Sequence, residues 1–344
     1  MWVIRPVNFR STLLFVVIAP TKAKKITINL LFKQHLLMNK ILLSTILFIT
    51  SQTVFGQKIV SKIDSINSKA EAEKLIRSFD KDYQRFSLKP ITEFEESYGQ
   101  NESCKKIADS LDITKPFYKA DFDNNGYTDL LVIGDYYGFK IFVVMNYGRD
   151  SLKLNWLTRR SFQECTFPQI INDTIIRYHY MPEPNRQTRS LQFSDLIFKY
   201  GDFIEYNPQP KNYTIEKIEY QTTMCFGTCP QFSISIDRNK QAIFKAGAYN
   251  RATNNSKEIK GLFKAALKDS TYLELIYLLN YIDFPNLKND YAVNWTDDQT
   301  CILTITYNNG QVKTIRDYGL IGTYGLNRLY KILSELRFNQ DWKQ

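Results

Sequence analysis

The chain has 344 residues, 44% of them hydrophobic and 23% charged, with a formal net charge of +10. That length suits about two domains, and the positive charge is unevenly placed. Residues 1–56 hold seven Lys/Arg and no Asp/Glu, which leaves 38 basic against 35 acidic residues beyond them, a net of +3. A body that near neutrality gives no support for nucleic-acid binding, which needs a clustered basic face.

Met38-Asn39-Lys40 is a short positive head, Ile41 to Thr50 is apolar without charge, and Ser51 to Gly56 is small to polar. This is the pattern of a secretory signal peptide over 38–56 with cleavage before Gln57. The apolar run is shorter than the ~20 residues that span a bilayer. Position 57 is not cysteine, so no lipid-anchor signal follows. Residues 1–37 precede a complete signal and are expected to be a misassigned N-terminal extension. The expected location is periplasmic or secreted, with no stable membrane anchor and no nucleic-acid partner. Export also permits disulfides among Cys104, Cys165, Cys225, Cys229 and Cys301. Five is odd, so at least one thiol is left over.

The first folded domain is expected over 57–206. Ser68 and Glu71 make a capping box, followed by Ala72, Leu75, Ile76, Phe79 and Tyr83 at helical spacing. A second short helix is expected over Glu102 to Leu111. Strands follow at Leu130 to Ile133, Ile141 to Met145, Leu152 to Trp156, Thr174 to Tyr180, Leu196 to Tyr200 and Phe203 to Tyr206. Gly201-Asp202 marks a hairpin. The two prolines of Asn207-Pro208-Gln209-Pro210 mark a linker over 207–213. The second domain, 214–344, reads as β-β-β-α-β-β-α. Its strands are expected at Phe232–Ile236, Gln241–Ala246, Glu258–Ala265, Cys301–Tyr307 and Val312–Ile315. A helix capped by Thr271 and Glu274 and a final helix over Leu326 to Leu336 complete it. The fold class is α+β: N-terminal helices with an antiparallel strand meander, then an antiparallel sheet covered by two helices on one face.

Asp121-Phe122-Asp123-Asn124-Asn125-Gly126-Tyr127-Thr128-Asp129 places oxygen side chains at positions 1, 3, 5 and 9. Gly126 permits a sharp turn, and the Tyr127 carbonyl is available at position 7. Hard, oxygen-only ligands of this kind suit Ca2+, here in a structural role. The EF-hand glutamate at position 12 is replaced by Val132, and an apolar strand follows. The segment therefore resembles the calcium loops of integrin-type (FG-GAP/VCBS) repeats. That resemblance implies ligation by Asp121, Asp123, Asn125 and Asp129. The competing reading is a metal-free turn rich in Asp and Asn.

Cys225-Phe226-Gly227-Thr228-Cys229-Pro230 runs directly into a strand. Together with Phe232 to Ile236, Phe284, Tyr291, Asp298, Asp317-Tyr318-Gly319 and Trp342, it makes residues 214–343 resemble a domain of secreted bacterial proteins, the domain of unknown function 6438. No activity comes with that resemblance. Cys225 and Cys229, with Gly227 and Pro230 beside them, read as a local disulfide, a redox dithiol or a soft-metal pair. A following strand counts against a low-pKa redox pair, which favours helix N-termini. Cys301 reads as a small buried apolar residue.

His179 is the only histidine after residue 56, and no nucleophile elbow, phosphate loop or zinc helix accompanies it. Asp298 and Asp317 border strand ends, where turn and cap roles compete with catalysis. Tyr136-Tyr137 and Tyr178 to Tyr180 could form a binding surface or ordinary strand faces. The expectation is an exported non-catalytic binding or structural protein with a calcium-stabilised loop and a disulfide-braced C-terminal domain, serving an unknown ligand or protein partner. The alternatives are a thiol-redox or soft-metal-handling protein using Cys225 and Cys229, and a carboxylate-based hydrolase.

Overall fold

The computed structural model describes residues 61–94, 101–149, 151–159, 163–182, 190–253 and 256–344. The expected signal peptide and the residues before it lie outside the described residues. Lys58–Gln344 forms one compact unit. Among the described residues it is α+β and mostly strand, and no helix is long and apolar enough to cross a membrane.

Helix α1 (Lys69–Arg77) starts where the capping box demands. The Ser68 hydroxyl accepts from Glu71 N–H, and the Glu71 carboxylate accepts from Ser68 N–H at 2.9 Å. Helix α2 (Glu102–Ser110) is capped by the Asn101 side chain. The first sheet comprises β1 (Ser87–Leu88), β2 (Phe117–Ala120), β3 (Asp129–Asp135), β4 (Phe139–Asn146) and β5 (Leu152–Trp156). β1 and β2 lie in line along one edge of β3, and β4 and β5 follow on the other side. A four-stranded meander forms the second sheet: β6 (Glu164–Asn172), β7 (Ile175–Met181), β8 (Gln192–Lys199) and β9 (Asp202–Glu205).

β3 and β4 read as unbroken apolar runs because both faces of their sheet are covered. One face carries Leu131, Ile133, Ile141 and Val143, which pack with Phe167, Ile176, Leu196 and Phe203 of the second sheet and with α2. The opposite face carries Leu130, Val132, Phe142 and Val144, which meet Ala72, Leu75 and Ile76 of α1. Cys104 on α2 is disulfide-bonded to Cys165 on β6, 61 residues away.

The third sheet has seven strands in the order β13-β12-β11-β10-β15-β16-β14. These are β10 (Ile215–Thr222), β11 (Phe232–Asp237), β12 (Gln241–Ala246), β13 (Gly261–Ala266), β14 (Asp290–Ala292), β15 (Thr300–Tyr307) and β16 (Gln311–Tyr318). All pair antiparallel except β14 with β16. Helices α3 (Asp269–Tyr281) and α4 (Tyr324–Asn339) bury Leu275, Leu278, Leu329 and Leu333 against Ile218, Ile234, Leu303 and Ile305 of this sheet. The turn Asn308-Asn309-Gly310 has φ of 43°, 65° and 87°, the left-handed region these residue types enter most readily.

Several features depart from the sequence expectations: β1, β2 and β14 were not expected, and the second half runs β-β-β-β-α-β-β-β-α instead of β-β-β-α-β-β-α. β10 lies in the middle of the sheet, where no strand was expected. Its Lys217, Glu219 and Gln221 face outward while Ile218 and Tyr220 are buried, so charge on the open face masks the strand. β6 also went unexpected. It contains Pro168 and two register shifts against β7, which break the alternation. Thr271 and Glu274 are not the cap of α3. The helix begins at Asp269 after Lys268, with no side-chain cap, and Glu274 instead pairs with Arg328 at 2.8 Å.

The residues around 205–213 are held by hydrogen bonds. Asn207 donates to the Tyr281 hydroxyl and carbonyl, and Tyr213 donates to Asn280 and Asp283. The Glu205 carboxylate at the end of β9 accepts the first backbone N–H groups of α4, Tyr324 at 2.6 Å and Gly325 at 2.9 Å. A carboxylate here satisfies orphan donors and opposes the positive helix end. Glu205→Ala is expected to lower unfolding free energy by about 2 kcal/mol. The check is chemical denaturation, with an unchanged midpoint counting against the cap.

A candidate calcium loop and a disulfide-closed turn

The acidic loop joins β2 to β3. Both Asp121 carboxylate oxygens accept loop N–H groups, from Asn125 at 3.0 Å and Gly126 at 2.8 Å. Gly126 has φ +87°, which the tight turn requires. Asp129 opens β3 and is fully buried. Its oxygens accept from Phe122 N–H at 2.8 Å and Asn146 N–H at 2.7 Å, tying the loop to the end of β4. Carboxylate oxygens of Asp121, Asp123 and Asp129 lie within 4.8 Å of one another.

Like charges this close, partly removed from water, disfavour ionisation. Burial pushes Asp129 up to about 7. Asp123 is raised by burial first and by the Asp121 charge second. Asp123 Oδ1 is buried with no hydrogen-bond partner. A hard divalent cation would supply that partner and offset the repulsion. Asp121, Asp123 and Asp129 fit such an ion. Asn125 points its amide nitrogen at Asp123 Oδ2 and at the Asn146 carbonyl, and its Oδ1 accepts from Tyr127 N–H. The Tyr127 ring packs over Gly148, where a Cβ would come within 2.3 Å of it.

Cys225 and Cys229 are bonded to each other. The resulting short loop is anchored at both ends by Gln299, whose amide donates to the Thr223 and Pro230 carbonyls, each at 2.8 Å. Gly227 sits at φ +149°. Phe226 at the tip is 88% exposed and Met224 is 67% exposed, an unusual display for large apolar side chains.

Asp298 and Asp317 each hold a turn or loop through backbone N–H groups. Asp298 accepts from Trp295 Nε1 and from Gln299 N–H, both at 2.9 Å. Asp317 is fully buried and clasps the following loop through Ile321 N–H at 2.8 Å and Gly322 N–H at 2.7 Å. Burial raises its pKa. Gly322 has no room for a side chain, since a Cβ would stand 2.6 Å from Asp317 Oδ2. His179 is 5% exposed, with Nε2 on the Gln169 side chain at 3.1 Å, and burial lowers its pKa. It packs between Phe167 and Phe193, a core position.

Cys301 is a buried free thiol pushed up to about 12 by burial and the neighbouring Asp317 charge. A protonated buried thiol is inert. Native protein is therefore expected to leave Cys301 unlabelled by iodoacetamide, with labelling at Cys301 appearing on denaturation. Labelling of Cys301 at native pH 8 would contradict this environment.

Residues 216–337 match the family model of a domain of unknown function (DUF6438). The match spans most of β10 through most of α4, and includes the disulfide-closed turn, Asp298 and Asp317. The acidic loop lies outside it. No curated protein and no solved structure matches the chain.

The sequence reading missed a cleft of about 400 Å3 where the end of β5, β9 and α4 meet. Its lining comes from separate parts of the chain, so no local motif marks it.

Proposed function

We propose that this chain is an exported, non-catalytic binding protein whose strand-rich body is stabilised by Ca2+ in the Asp121–Asp129 loop and by two disulfides. The observation that carries the reading is the convergence of the Asp121, Asp123 and Asp129 carboxylates, together with the buried, unpartnered Asp123 Oδ1. Asp121, Asp123 and Asp129 would hold the ion, which would neutralise their mutual repulsion and lock the β2–β3 and β4 ends together. The two bonded cysteine pairs are compatible with an oxidising compartment. Calorimetric titration of chelator-treated protein with Ca2+ tests the reading. One saturable site, lost in Asp123→Asn, is expected, and the absence of a binding isotherm would sink it.

The partly exposed Cys225–Cys229 bridge favours a second reading, thiol exchange. Equilibration with reduced and oxidised glutathione separates the two. A bridge that resists reduction across the physiological range supports the structural role, and one that opens readily supports exchange. Asp298 and Asp317 are engaged in turn hydrogen bonds.

A further inference from the structure

The cleft between β5, β9 and α4 has a chemical character of its own. Helix α4 has two working faces. Leu326, Leu329, Leu333 and Leu336 pack on the seven-stranded sheet. Tyr324, Asn327, Lys331 and Ser334, at three- and four-residue spacing on another face, line the cleft. A polar helix face ordinarily meets water. Here Lys331 is exposed, while Tyr324, Asn327 and Ser334 are partly buried in a cleft that Trp156 and Arg159 of the β5 end and Asp202 and Phe203 of β9 also line.

Two basic side chains, Lys331 and Arg159, line the cleft. Lys331 is neutralised by Asp202 at 2.5 Å. Arg159 makes no ion pair among the described residues, and its charge favours the ionised form of the nearby buried Asp317. Its guanidinium lies 4.8 Å from the centre of the Tyr324 ring, and Nη2 donates to the Ile321 carbonyl. Arg159 Nε is buried without an acceptor, and Asn327 Oδ1 is buried without a donor. Unpaired buried polar atoms are rare in folded proteins and call for a missing partner. Here one needs an acceptor and the other a donor. The apolar surfaces of Trp156, Phe203 and Leu320 complete a pocket of small-molecule size, mostly apolar with a few placed polar groups.

We infer that this cleft binds a small hydroxylated carboxylate of sugar-acid size, its carboxylate on Arg159, its hydroxyls toward Asn327 and Ser334, and its ring beside Trp156. An unpaired guanidinium is suited to a carboxylate. A carboxylate alone leaves the Asn327 oxygen unserved, and a neutral sugar offers Arg159 only an uncharged acceptor, a weaker partner than a carboxylate. The site rests on the reading of the chain as a binding protein and supplies its ligand class.

Calorimetric titration of the Ca2+-loaded protein with glucuronate, glucose and benzoate tests the assignment. Saturable glucuronate binding is expected, with glucose and benzoate each at least about tenfold weaker. Arg159→Met is expected to abolish glucuronate binding. The near-isosteric Asn327→Asp, which keeps the fold while adding a negative charge, is expected to weaken it at least tenfold. Glucose or benzoate binding as tightly as glucuronate, glucuronate binding unchanged in both variants, or no binding by any of the three would each overturn the site. Mass analysis of recovered glucuronate separates the two claims. Unchanged ligand supports both. Converted ligand keeps the site and overturns the non-catalytic reading. Failure to bind overturns the site alone.

Discussion

Replacing Cys104 and Cys165 by alanine lowers unfolding free energy by about 4 kcal/mol, the loop-closure contribution expected of a bridge across this separation. The bridge spans 61 residues and fixes α2 to the bulged strand β6. Without it the unfolded chain regains the freedom of the whole intervening segment, which includes β2 to β5 of the first sheet. Both cysteines are fully buried, so the alanine pair also leaves a small apolar void. For a chain of this size the loss corresponds to a melting point lower by roughly 8–16 °C. Cys225–Cys229 closes only a four-residue separation, and its double alanine variant is expected to lose about 2 kcal/mol. Scanning calorimetry on both variants gives the order. Equal losses, or a larger loss at the short bridge, would contradict the loop-closure account.

The second large effect is the pH dependence of calcium stabilisation. In the ion-free protein, burial holds Asp129 at about 7, above the ordinary carboxylate value near 4. The folded state therefore keeps a proton that the unfolded chain releases. The associated stability is fully present below about pH 4 and is lost as pH rises through about 7. The proposed calcium ion would act in the opposite direction, because its ligands must be ionised. With chelator present, the melting temperature is expected to fall between about pH 5 and pH 8. Saturating Ca2+ at a hundredfold excess over its dissociation constant adds about 2.7 kcal/mol at the upper end. That is roughly 5–11 °C at about 2–4 °C per kcal/mol. The gain shrinks toward the lower end. In Asp129→Asn the calcium shift disappears and the fall with pH flattens. A calcium shift of the same size across the whole range would rule out proton competition at this loop.

What could be read from the residues follows from how locally each feature is encoded. The capping box at Ser68 and Glu71, the Asn308-Asn309-Gly310 turn and the acidic loop are each written within a few consecutive positions. β3 and β4 announced themselves because burial on both faces removes every polar position from the run. β10 was hidden for the opposite reason: one of its faces meets water, and Glu216, Lys217 and Glu219 dilute the apolar signal. Thr271 and Glu274 had the spacing of a cap, but the helix begins two residues before Thr271, and Glu274 has a tertiary partner in Arg328. The pairing of Cys104 with Cys165 needs the first and second sheets to stack, which no local pattern contains. Arg159 and Asn327 line one cleft only because the end of β5 and α4 come together, so the cleft had no signature in the chain.

Glu205 carries a consequence for where this protein divides. The stretch recognisable as a family unit starts at residue 216, yet a helix inside it is anchored by a carboxylate eleven positions upstream of that start. A transplant of 216–337 into a foreign host would bring α4 without its counter-charge. What travels as a heritable module is thus narrower than what holds together mechanically, and a cut at the module's edge would fray its last helix first.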